Sequence, residues 1–85
     1  MMEERAVFIS CIYRHFKGGE YMVIGVATHT ETNEKLVVYM DMESDLTWAR
    51  PWAEFLSKVD RENYPDAQQE YRFELVEEWN EQQDG

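Results

Sequence analysis

The chain has 85 residues, the length of one domain, with 44% apolar and 14% aromatic content and a net charge of −10. That much apolar content supports a folded core and excludes disorder for most of the chain, while eight Lys/Arg against 18 Asp/Glu disfavour duplex nucleic acid, whose counterions only several cations displace. The lone cysteine, Cys11, excludes an intramolecular disulfide and fits a reducing cytoplasm.

The charge is uneven. Arg5 to Lys58 carries six Lys/Arg against seven Asp/Glu, a net of −1, whereas Val59 to Gly85 carries two against nine, a net of −7. The acid is concentrated at the ends, and the reading preferred for residues 78–85 is a solvated acidic C-terminal tail. Glu3 and Glu4 stand where an export signal carries lysines, and the longest apolar-leaning run, Ala6 to Tyr13, is too short to span a bilayer. The expected setting is therefore cytoplasmic.

Along the chain, Val7 to Tyr13 is rich in β-branched and aromatic residues and predicts a first strand, broken by Gly18-Gly19. Tyr21 to Thr30 predicts a second, with Met22, Ile24 and Val26 on one face and Tyr21, Val23, Gly25 and Ala27 on the other. Both faces are apolar or small, so this strand is central or bends, with Gly25 as the bend point. Glu31 to Glu34 predicts a hairpin loop in which Asn33 adopts positive φ. Leu36 to Met42 and Leu46 to Arg50 follow as strands across the loop Glu43-Ser44-Asp45. Pro51 is placed to open a helix whose Trp52, Phe55, Leu56 and Val59 recur at helical spacing, giving one or two turns that plug the core. Asp60 to Gln69 is a polar loop. Tyr71, Phe73 and Leu75 alternate with Arg72 and Glu74 as a half-buried strand, preferred over a helix with Tyr71, Leu75 and Trp79 on one stripe. Five short strands and one helical turn predict a mainly β fold, a small five-stranded SH3-like barrel over residues 1–77.

The ordered set Tyr13-Arg14-His15-Phe16-Lys17-Gly18, Tyr21-x-Val23, Ala27-x-His29-x-Glu31-Thr32, Glu34-x-x-Val37-Val38-Tyr39 and Trp48-x-Arg50-Pro51, with Phe55 four residues on, resembles the small bacterial and phage family catalogued as domain of unknown function 1653. The likeness covers about residues 12–59, with a weaker echo at Arg72-Phe73. It implies a compact β-rich cytoplasmic protein and no established activity. Two departures stand out. Asp41-Met42-Glu43-Ser44-Asp45 replaces the aromatic-glycine-acidic segment common in relatives, and Arg61 to Gln69 is longer than usual.

Two histidines, His15 and His29, are the candidate general bases, and Glu31 shares a strand face with His29 and is placed to orient it. Neither stands in a His-x-x-x-His spacing and no Cys-x-x-Cys occurs, so no metal is expected. Cys11 reads as an inert buried thiol rather than a nucleophile. No phosphate-binding glycine loop or other cofactor motif occurs, and none is expected. Arg14, Lys17 and Arg50 supply the cations of an anion-binding patch, with Trp48 as a stacking surface. The alternative for Tyr39, Phe16 and Trp48 is plain core. The preferred function is a non-enzymatic binding module for an anionic or peptide ligand, its face built from Arg14, His15, Lys17, His29, Glu31, Trp48 and Arg50. Behind it stand a homo-oligomeric assembly subunit and a small enzyme with a histidine base.

Overall fold

The computed structural model describes residues 6–77. The five strands are β1 (Ile12–His15), β2 (Glu20–Thr28), β3 (Lys35–Asp41), β4 (Thr47–Pro51) and β5 (Phe73–Glu77), with one helical turn, α1 (Trp52–Phe55), between β4 and β5. All neighbours are antiparallel, and the order across the sheet is β4-β3-β2-β1-β5. The acidic tail expected at 78–85 lies outside the described residues, as does Trp79 of the helical alternative. Up to Glu77 the strand reading of this segment holds.

The sheet does not close. β4 and β5 are its two edges and are not hydrogen-bonded to each other, so the pairing does not form the ring of a barrel. The space between the edges is bridged instead by α1 and by a short ladder beyond it. There Val59 N–H donates to the Glu70 carbonyl and Arg72 N–H to the Ser57 carbonyl, both at 2.9 Å, with Lys58 opposite Tyr71.

The first strand starts later than its composition suggests. Ser10 sits at φ 68°, left-handed backbone that breaks the pleat, although its N–H still donates to the Val23 carbonyl at 2.8 Å. Residues 7–11 thus lie along β2 without regular pairing. The β1–β2 turn uses Gly18 and Gly19 at φ 110° and 91°, conformations that side chains oppose. Asn33 takes φ 66° in the β2–β3 loop, as its side chain permits, and Asp45 does the same in the β3–β4 loop.

Register explains how the faces are sorted, because residues directly opposite share a face. Tyr13 pairs with Tyr21, Val23 with Tyr39, Tyr39 with Trp48, Val37 with Arg50, and His15 with Phe73. This inner face supplies Tyr13, Val23, Val37, Tyr39 and Phe73 to the core, and Phe55 of α1 covers it. A bulge between Val23 and Gly25 inserts Ile24 and reverses the alternation. Val26 therefore joins Val37 on the inner face, and Gly25 and Ala27 join Val38 and Leu36 on the outer one. The simple alternation predicted for β2 fails at this one residue, and the irregularity lies beside Gly25, the residue marked as the bend point. α1 is a single turn, and Pro51 ends β4 as well as preceding the helix. Phe55, fully buried, stacks on Phe73 at 4.2 Å with 9° between the rings and meets Tyr13 edge-on at 5.3 Å.

Candidate functional site

One end of the inner face is left open. There the side chains of His15 (β1), Tyr21 (β2), Tyr39 (β3), Trp48 and Arg50 (β4) and Phe73 (β5) line a cleft of about 270 Å³. Every strand contributes, and the strand period of two selects the contributors: they are inward positions, with Tyr39 and Phe73 belonging to the core as well.

Arg50 is the polar centre. Its Nε–H donates to the Tyr39 hydroxyl at 3.1 Å, its guanidinium carbon stands 5.8 Å from the centre of the Phe73 ring, and Nη1 reaches the Glu54 carboxylate at 3.5 Å. Rings surround it: Tyr39 meets Phe73 at 5.3 Å and Tyr21 at 5.5 Å, and His15 meets Phe73 edge-on at 4.8 Å. Trp48 forms the rim and is 48% exposed.

His15 is held neutral. Burial first, then the positive charges of Arg50, Arg72 and Lys17, lower its pKa from 6.5 to about 4. Its Nδ1 accepts the Lys17 backbone N–H at 3.1 Å, so in the neutral ring the proton resides on Nε2. Tyr21 is pushed the other way: burial, Asp41 and Tyr39 raise its pKa, against a smaller opposing pull from Arg50, and the phenol keeps its proton.

The other candidates stand elsewhere. Arg14 alternates to the outer face, where it pairs with Glu20 directly across the β1–β2 ladder at 3.1 Å. Lys17 lies over Tyr64, with Nζ 4.9 Å from the ring centre, in a separate hollow with Phe16. His29 closes the β2–β3 loop, its Nδ1 accepting the N–H groups of Glu31 at 3.0 Å and Thr32 at 3.2 Å. Glu31 thus meets His29 through its backbone amide, and its exposed carboxylate is not the orienting group the sequence suggested. Of the seven candidates, then, His15, Trp48 and Arg50 converge, and Arg14, Lys17, His29 and Glu31 do not.

Tyr21, Tyr39 and Phe73 were not singled out from sequence as lining residues. Their signal was in the pairing: once Tyr39 is set opposite Trp48 and Phe73 opposite His15, all belong to one inward face. Cys11 is buried as a free thiol, its Sγ 3.6 Å from the Ile9 carbonyl oxygen. Among the described residues, no three His, Cys, Asp or Glu side chains come together as metal ligands, and no helix is long and apolar enough to cross a membrane.

The fold and cleft define a class: a small, mainly β protein, one open antiparallel sheet whose aromatic inner face holds the partly buried Arg50. The family described as Protein of unknown function (DUF1653) matches residues 11–75, more than half of the chain, and the protein belongs to that family. The match reaches into the first three residues of β5 and takes in all six cleft residues, a longer span than the sequence motifs marked out. No curated protein and no solved structure matches the chain.

Proposed function

We propose that the protein is a non-enzymatic binding module whose cleft takes an anionic ligand, either a small molecule or an acidic group on a peptide. The observation that carries this reading is the convergence of Arg50, neutral His15 and half-exposed Trp48 with three further aromatic rings around one opening. A cation amid aromatic rings, in a site partly shielded from water, recognises an anion better than the same cation in solvent. The open sheet, curled over one core and plugged by α1, is read as a relative of the SH3-like barrel. The buried free thiol of Cys11 suits a reducing cytoplasm.

Histidine chemistry argues against an enzyme of the general-base type. A base needs a free lone pair, and the Nδ1 lone pairs of both His15 and His29 already accept backbone N–H groups. In each neutral ring Nε2 then bears the proton and can only donate.

The test is a heteronuclear NMR titration of the full chain with a panel of small organic carboxylates, phosphates and sulfonates and short acidic peptides. Signals of His15, Trp48 and Arg50 should move together, with Arg14 and His29 unmoved, and Arg50→Gln should abolish the response. A panel that leaves the cleft signals in place would refute the reading.

A second reading, an assembly subunit, draws on the outer face. There Ile12, Met22 and Met40 are successive cross-strand partners, Val38 and Leu36 lie beside them, and all five are only partly buried.

A further inference from the structure

Resting on the reading of the cleft as a binding site, we infer that its ligand is a monoanionic carboxylate carried on a flat apolar group of one or two rings, not a phosphate. Three observations on the cleft point to this class.

The first is the hydrogen-bonding inventory. The Tyr39 hydroxyl accepts from Arg50 Nε, so its own proton is available to donate. The Nδ1 of His15 is taken by the Lys17 amide, which leaves Nε2–H as the ring's donor. Tyr21 is a protonated phenol, and Arg50 has only N–H groups to offer. No carboxylate lines the cleft. The lining thus offers donors from Arg50, His15 and the two phenols and no carboxylate, and its natural complement is a group rich in acceptors.

The second is charge. The cleft holds one full positive charge, that of Arg50, since His15 is neutral near pH 7. Part of it is already offset by Glu54 at 3.5 Å from Nη1, an exposed contact that a ligand can displace. One guanidinium matches one carboxylate in charge and, through paired N–H groups, in shape. A phosphate dianion would carry a second charge with no cation in the cleft to meet it. Arg72 and Lys17, whose charges also act on His15, are engaged outside the lining, Arg72 through Nε with the Ser57 hydroxyl at 3.1 Å and Lys17 over the Tyr64 ring.

The third is the rim and the size. Trp48 offers a half-exposed indole opposite Tyr39, with Tyr21 and Phe73 across the opening. Aromatic walls of this kind favour a planar apolar partner. A volume of about 270 Å³ falls just below the ~300–1,000 Å³ of ordinary ligand pockets. That leaves room for a compact aromatic acid rather than an extended peptide.

The experiment compares four probes on the full chain by NMR and calorimetry: 2-naphthoate, its uncharged counterpart 2-naphthalenemethanol, acetate and phenyl phosphate. Naphthoate should bind most tightly, with the alcohol and acetate each about tenfold or more weaker, because each lacks one half of the recognition. Arg50→Lys, which keeps the charge and loses the fork, should weaken naphthoate about tenfold. Trp48→Ala should weaken naphthoate and leave acetate unchanged. If phenyl phosphate binds more tightly than naphthoate, or the alcohol binds as well as the acid, the ligand class is wrong although the cleft remains a binding site. If no probe, and no member of the broader panel, moves a cleft signal, both the ligand class and the binding reading fall.

Discussion

His15 at the end of β1, His29 just past the end of β2 and Asp41 at the end of β3 hold their hairpins in the same way. Each places an acceptor at the δ position of its side chain and takes the N–H two residues on: Lys17 at 3.1 Å, Glu31 at 3.0 Å and Glu43 at 2.8 Å. For Asp41, the Glu43 N–H is the main reason its pKa falls below the usual carboxylate value, outweighing the burial that raises it, with Ser44 adding to the fall. An imidazole does the same work only while it is neutral, which ties the β1–β2 turn to pH. The pKa of His15 is about 4 in the folded protein and about 6.5 unfolded, so the unfolded chain takes up the proton first as pH falls. The stability associated with this group is complete above pH ~6.5 and is lost progressively toward pH ~4. His15→Asn keeps an acceptor at the δ position and does not titrate. In urea denaturation at pH 7 and pH 4, wild type should lose more stability than this variant; equal losses would show that His15 does not titrate with a lowered pKa. Histidine looked like a catalytic residue in the sequence because residue type alone does not reveal which lone pair is already engaged.

At the scale of elements, the protein depends on one bulge and one plug. Ile24 is the extra residue that lets β2 begin with Tyr21 and Val23 inward and continue with Val26 inward. The sequence marked Gly25 as the bend but not the change of parity, since apolar residues on both faces of β2 fit either alternation. α1 is only one turn, too short to be stable alone, and is held by what Phe55 buries. Phe55→Ala should cost about 3–5 kcal/mol, a large part of the ~4–13 kcal/mol available to a chain of this length. Thermal unfolding should show a fall of many degrees for Phe55→Ala and a smaller one for Phe55→Leu. A melting temperature unchanged in Phe55→Ala would rule out the plug. The helical spacing of Trp52, Phe55 and Val59 revealed this element's existence. Its brevity was decided by the ladder from Ser57 to Val59, where the backbone exchanges helical hydrogen bonds for pairing with Glu70 to Arg72.

For the whole molecule, the balance lies between a net charge of −10 and an apolar outer face. Self-repulsion keeps copies apart at low ionic strength and is screened over ~10 Å at 0.1 M salt. If the outer face pairs copies, sedimentation velocity should give a monomer in dilute buffer and a concentration-dependent dimer at about 0.5 M salt, where screening is stronger. Met40→Glu should then restore the monomer. A monomer under all conditions removes the assembly reading and leaves the cleft untouched. The sheet's open edges follow from the same scale: β4 and β5 are joined through α1 and the ladder after it, not to each other.

Composition and local pattern, which act over a few residues, determined that this chain is mainly β, where four of its five strands run, that Asn33, Gly18 and Gly19 turn the backbone, and that a helical turn follows Pro51. Which side chains meet is a property of pairing between distant segments, and only the tertiary structure decided it. Arg14 and His15 are neighbours in the chain yet face opposite sides of the sheet, whereas His15 and Phe73, 58 positions apart, stand side by side across the β1–β5 ladder. A strand turns alternate side chains to opposite faces, so proximity in sequence separates what proximity in space unites. The cleft around Arg50 was legible as residue types, and it became a site only when the register of five strands turned them inward together.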